Sequence, residues 1–133
     1  MDPDLNKPMI PIPKTRISLL IYALLVSVVS LLPGSGASYG QVDKVGHFSA
    51  YAGMAVLAMM SFKGRISRLA ALLGAIGLGV LLEWGQSFIP GRDMSLLDGA
   101  ANTLGVLAGA LFFRFWGETL IALIQSKLPG RKI

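Results

Sequence analysis

The chain has no cysteine and a single histidine among its 133 residues. Without cysteine there is no disulfide, no thiolate nucleophile and no thiolate-bound metal. One histidine rules out the paired-histidine zinc motifs. Charge is also scarce: Asp, Glu, Lys and Arg make up 14% of the chain, where a soluble domain averages about 25%. No Walker A loop and no G-x-G-x-x-G fingerprint occurs. These absences argue against an ordinary soluble domain, a disordered chain and the nucleotide-binding frameworks. The net charge of +5 does not by itself indicate a nucleic-acid partner, because what matters is where the basic residues sit.

Apolar residues make up 53% of the chain, gathered in four stretches. Ile17 to Val42 carries no charge, and Val45 to Phe62 carries only His47. Leu69 to Ile89 is interrupted by Glu83 alone, and Ser95 to Trp116 by Asp98 and Arg114. A membrane helix needs about 20 apolar residues, with a range of roughly 17–25, and all four stretches fit that window once frayed ends are allowed. Ten of the 12 Lys and Arg flank these spans on one side, with only Lys44 and Arg92 on the other. By the positive-inside rule the expected fold is an all-α integral membrane four-helix bundle with both termini cytoplasmic. The first stretch also has the outline of a signal peptide, with Ser35-Gly36-Ala37 as a cleavage site. Its apolar run is longer than that reading needs, and retaining it keeps every basic cluster on one side.

The expected organisation is a cytoplasmic tail over 1–16, a membrane domain over 17–116 and an interfacial tail over 117–133. Four of the seven prolines fall in residues 1–13, which predicts an extended, non-helical segment. Pro33-Gly34 ends the first helix, and Pro90-Gly91 makes a tight turn after the third. Asp43 is expected to cap the second helix and Ser67 the third. Ser95-Leu96-Leu97-Asp98 resembles a capping box with Asp in place of Glu. Leu120, Leu123, Ile124 and Leu128 form a stripe read as a short interfacial helix or a frayed extension. Ala71, Ala75 and Gly79, and likewise Ala101, Gly105 and Gly109, form small-residue faces for close helix contact, within the monomer or in a homo-oligomer.

Polar residues inside spans are unfavourable in lipid and mark the candidate site. Asp43, His47 and Tyr51 recur every four positions and share one helix face, with Lys44 beside them. Glu83 continues the small face of the third helix, and Gln86 follows one turn later. Asp98 and Asn102 stand one turn apart on the fourth helix, with Arg92 in the preceding turn. A 1.5 Å rise per residue puts Glu83 and Asn102 about 10 Å from their helix ends, and His47 about 6 Å. Three helices agreeing in depth predict one cavity opening on the external side.

The ordered set Asp43-Lys44-x-x-His47, Tyr51, Glu83-x-x-Gln86, Arg92, Asp98-x-x-x-Asn102, Gly105 and Gly109 resembles the VanZ-like family of small bacterial membrane proteins. The resemblance implies a multi-pass protein of the bacterial cytoplasmic membrane with a shared polar site. The family takes its name from a protein associated with resistance to teicoplanin, a glycopeptide antibiotic.

Several functions fit these residues. The first is binding of an amphiphilic envelope ligand, such as a lipid-linked precursor, a lipid head group or a lipoglycopeptide. In that reading Asp43, Lys44, His47, Tyr51, Glu83, Gln86, Arg92, Asp98 and Asn102 line the site, and bulk membrane lipids are further partners. The second is an intramembrane hydrolase or transferase acting on an envelope lipid. Glu83 and His47, with Asp98 as a further candidate, would then supply acid–base catalysis. The third is a purely structural polar network. Transport ranks last, since four spans are few and no broken-helix repeat is visible. No cofactor, metal or nucleic acid is expected, because one His with dispersed acids has no recognised metal spacing.

Overall fold

The computed structural model describes residues 12–33 and 41–127 and consists of four α-helices. These are α1 (Ile12–Leu31), α2 (Gln41–Ser61), α3 (Arg65–Gln86) and α4 (Leu96–Lys127). Helix α2 is the hub. It packs most extensively on α4 and also meets α1 and α3. Among the described residues α1 and α4 share no interface.

Glycine brings α2 and α4 together. A Cβ at Gly105 would land on the Phe48 carbonyl, and one at Gly109 on the Ala52 carbonyl. Only a bare backbone fits at either place. Gly79 of α3 does the same for a side chain, since its Cβ would stand 3.1 Å from the Tyr51 ring and 3.2 Å from the Asn102 amide nitrogen. The small-residue faces of α3 and α4 therefore serve contacts within the chain. Around them sits a short core of Tyr51, Met54, Ala55, Ala75 and Val106.

Helix α1 is apolar all round and leaves most of its surface uncovered: Ile17, Leu20, Ile21, Leu24, Leu25, Val28 and Val29 are all exposed. In water such a patch would far exceed the few hundred Å² that soluble monomers show. In hydrocarbon it is the expected surface. Polar ties hold α1 in place. Gln86 Nε2 donates to the Ser30 carbonyl at 2.9 Å and Arg92 Nε to the Leu32 carbonyl at 2.8 Å, which caps the open end of α1. Tyr22 donates from α1 to the Ala50 carbonyl at 3.0 Å. At the opposite end, Arg16 Nε donates to the Ser61 carbonyl at 3.2 Å and Arg68 Nε to the Phe62 carbonyl at 2.6 Å, closing α2. Their guanidinium groups lie over Phe62 and Phe113, respectively.

Several local expectations change. Pro13 lies in the first turn of α1, where its missing N–H has no partner to lose, so the helix starts inside the proline-rich segment. Residues 1–11 and the Ser35-Gly36-Ala37 site lie outside the described residues. Asp43 is in the first turn of α2, two residues inside its start, so it complements the helix dipole instead of capping it. Gly64 is the N-cap of α3, with no side-chain cap, and Ser67 lies within the helix. The stripe from Leu120 to Ile124 belongs to α4 itself, which runs unbroken for 32 residues.

Three helices are long and apolar enough to cross a membrane: α1, α3 and α4. Helix α2 has the length, with 21 residues, but Gln41, Asp43, Lys44, Gly46, His47 and Ser49 make its opening turns too polar. Within that polar half Lys44 and His47 are half-buried and turn toward α3 and α4, and that is where the candidate site lies.

The turn from Ser87 to Ser95 contains Gly91 at φ 78, a left-handed conformation that suits glycine. Ser95 then caps α4, its Oγ accepting from the Asp98 N–H at 3.2 Å. The reciprocal bond of a capping box is absent in its usual form. The Ser95 N–H is taken by Glu83 Oε2 of α3 at 3.1 Å, so the box is closed from another helix and the Asp98 carboxylate is released for other contacts. Ser95→Ala removes the hydroxyl half alone. A loss of about 1 kcal/mol is expected, read as a lowered unfolding midpoint in mild detergent.

Candidate functional site

His47 is the centre of the site. Its Nδ1 lies 2.9 Å from Asn102 Oδ1 on α4 and 3.8 Å from Glu83 Oε1 on α3. Its Nε2 lies 3.8 Å from Asp43 Oδ1, one turn earlier on α2. With the Asn102 oxygen facing the ring, Nδ1 carries a proton and donates it. Nε2 is left to face Asp43.

Beside this centre, Lys44 Nζ pairs with Asp98 Oδ1 at 3.4 Å, tying α2 to α4. Glu83, Gln86, Asp98 and Asn102 are buried, and Asp43 is exposed over half its side chain. Tyr51 is 1% exposed, and its hydroxyl has no hydrogen-bond partner among the described residues. It lies two turns along the same α2 face from Asp43, against the notch at Gly79. The protein thus places three carboxylates, one imidazole and one ammonium in a single network.

A cavity of about 340 Å³ opens beside this network, between α1, α2 and the turn before α4. Asp43, His47, Tyr51 and Arg92 line its polar part, while Tyr22, Leu25, Val26 and Val29 of α1 form an apolar wall. Lys44, Glu83, Gln86, Asp98 and Asn102 do not line it. They stand behind His47 or, in the case of Gln86, cap α1. The residues expected in one cavity therefore divide into a lining and a support. Arg92 belongs to the lining while its Nε is committed to Leu32.

Tyr22 and Ser30 went unnoticed in the sequence, although both touch the cavity. The available signal was a hydroxyl in an aliphatic span, which needs a partner in lipid. The letters G-x-S-x-G also occur, from Gly36 to Gly40. A nucleophile elbow needs a strand before it, whereas this stretch follows α1, and it lies outside the described residues.

The arrangement can hold an anionic or polar head at Arg92 and His47, and it can move a proton through His47 between the cavity and Glu83. Asp43, His47 and Asp98 also offer one ligand atom each, all within 4.8 Å of one another. No match is found among curated proteins or among solved structures. The VanZ/LLP1 family model matches residues 7–117, which takes in all the residues of this network, and the chain belongs to that family.

Proposed function

We propose that this chain is a multi-pass protein of the bacterial inner membrane, with four spans and cytoplasmic termini, that binds an amphiphilic envelope ligand in the outer leaflet. The ligand class is a lipid-linked precursor, a lipid head group or a lipoglycopeptide, and a part in glycopeptide resistance fits the same chemistry. One observation carries the reading: a single cavity has an aliphatic wall supplied by α1 and a polar end supplied by Asp43, His47 and Arg92. An acyl or prenyl chain suits the wall, and a phosphate or carboxylate suits Arg92.

Gly46 gives the test. It lines the cavity, and a Cβ there meets nothing within 4 Å. Gly46→Leu therefore starts from an unobstructed Cβ, extends into the cavity and improves helix propensity by about 0.8 kcal/mol. Native mass spectrometry of wild-type protein from mild detergent is expected to show one amphiphile class enriched over bulk lipid. The equally folded Gly46→Leu protein is expected to lose it. Bulk lipid alone on both proteins would end the binding reading.

A second reading, hydrolysis or group transfer on such a ligand, has its own support in the fixed His47 ring. Nδ1 is held by Asn102, and the ring lines the cavity, the orientation a general base needs. Turnover of the copurified amphiphile that His47→Gln abolishes, with binding kept, distinguishes it from binding alone.

A further inference from the structure

We infer that Asp43, His47 and Asp98 form a binding site for a divalent cation of the Zn²⁺ or Mn²⁺ type at the rim of the cavity. Their ligand atoms come from two helices and lie within 4.8 Å of one another. The two that share α2, Asp43 Oδ1 and His47 Nε2, are 3.8 Å apart. A tetrahedral ion with bonds of about 2.0–2.2 Å spaces its ligands roughly 3.3–3.6 Å apart. Closing the set takes about an ångström of side-chain movement, and Asp43 is exposed enough to supply it.

Two further observations point to a cation. Asp98 has a side chain nine-tenths buried, and its Oδ1 accepts no hydrogen bond among the described residues. The Lys44 ammonium stands off from it at 3.4 Å, on a side chain one-third exposed and free to swing to water. The second observation is the histidine ring. Asn102 holds Nδ1 as the donor, so Nε2 is the ring atom left to face the Asp43 carboxylate, 3.8 Å away. Charge points the same way: Asp43, Glu83 and Asp98 are paired, among the described residues, with one ammonium and one imidazole. In a low-dielectric setting a divalent ion balances that excess.

Mixed carboxylate and imidazole ligation suits Zn²⁺ or Mn²⁺. Asn102 supplies the outer support such sites use, fixing the ring through its second nitrogen. Three protein ligands leave at least one position open. Asp43 and His47 both line the cavity, so that position faces the cavity. The sequence hides the set because the third ligand lies on a different helix, 55 residues from Asp43. The inference holds whether or not the cavity takes an amphiphile, and its test reads metal and not lipid.

The full chain, free of any affinity tag and stripped with a chelator in mild detergent, is titrated with Mn²⁺ and separately with Zn²⁺. One equivalent of Mn²⁺ is expected to bind and to show coupling to an imidazole nitrogen by pulsed electron paramagnetic resonance. His47 is the chain's single histidine, so that coupling can come from nowhere else. Lys44→Gln keeps all three ligands and removes the competing ammonium. It is expected to bind Zn²⁺ roughly tenfold tighter, in keeping with the removal of one charge at close range. Absence of saturable binding in the wild type, Mn²⁺ bound without nitrogen coupling, or unchanged affinity in Lys44→Gln would each overturn the site. Both decisive readouts use chains with the ligands intact, so unfolding of a ligand variant does not blur the result.

Discussion

Gly105→Leu is expected to abolish the fold. The position allows no side chain, because its Cβ would occupy the place of the Phe48 carbonyl. Relief requires moving α2 and α4 apart along their whole shared face, since Gly109 makes the same contact with Ala52 one turn on. Overpacking in a core costs about 1–3 kcal/mol where side chains can yield. Here backbone opposes backbone, so the loss should exceed that range and leave little folded protein in detergent. Gly109→Leu is expected to behave alike. Gly74→Leu is the control, as its Cβ meets nothing within 4 Å on the lipid-facing side of α3. If Gly105→Leu and Gly74→Leu melt together, the close approach of α2 and α4 is not what holds the bundle. The consequence for the site is direct, because the same approach brings His47 to Asn102.

Glu83→Ala is expected to destabilise the protein by about 3 kcal/mol. The buried carboxylate has two duties, accepting the Ser95 N–H and facing His47 Nδ1. Alanine leaves the first group of α4 unbonded and opens a polar void beside the imidazole. Glu83→Gln separates shape from charge. Its amide oxygen can still accept from Ser95, so the loss should fall to about 1 kcal/mol. Thermal unfolding of the three proteins in one detergent gives the comparison. A Gln variant as damaged as the Ala variant would make the charge itself structural and favour the network reading of the cluster. A Gln variant as stable as wild type, or more so, means the charge is held against folding, as working sites often hold theirs.

How much of this was readable from the residues depends on whether a feature lies along one helix or between two. Asp43, His47 and Tyr51 share a face by spacing alone, and they all line the cavity. Glu83 follows Ala75 and Gly79, and all three are buried on one side of α3. Depth counted from helix ends brought His47, Glu83 and Asn102 to one level, and they meet. Partner choice did not follow from spacing. Arg92, Lys44 and His47 are equally plausible partners for Glu83 on paper, yet Lys44 goes to Asp98, Arg92 to a carbonyl of α1, and His47 alone of the three faces Glu83. Such choices turn on the rotation of each helix about its axis, which one strip of sequence does not encode. The bare carbonyls at the end of α1 also compete for donors, and carbonyls have no letter in a sequence. The cavity wall was hidden for a similar reason: Leu25, Val26 and Val29 are unremarkable membrane residues until α2 is placed beside them.

The cap that α3 lends to α4 also bears on how the chain enters the bilayer during synthesis. Glu83 is made before Ser95, which follows 12 positions later. At about 5–20 residues per second, the carboxylate waits roughly one or two seconds for its partner. An unpaired acid within a span is resisted by the insertion machinery, at about 2.5–3.5 kcal/mol at the helix centre. A short turn keeps that wait brief and favours entry of the two helices as a hairpin in which the acid is already bonded. The close of α3, the turn and the start of α4 are therefore expected to insert as one unit, and a lengthened turn is expected to lower the yield of inserted protein.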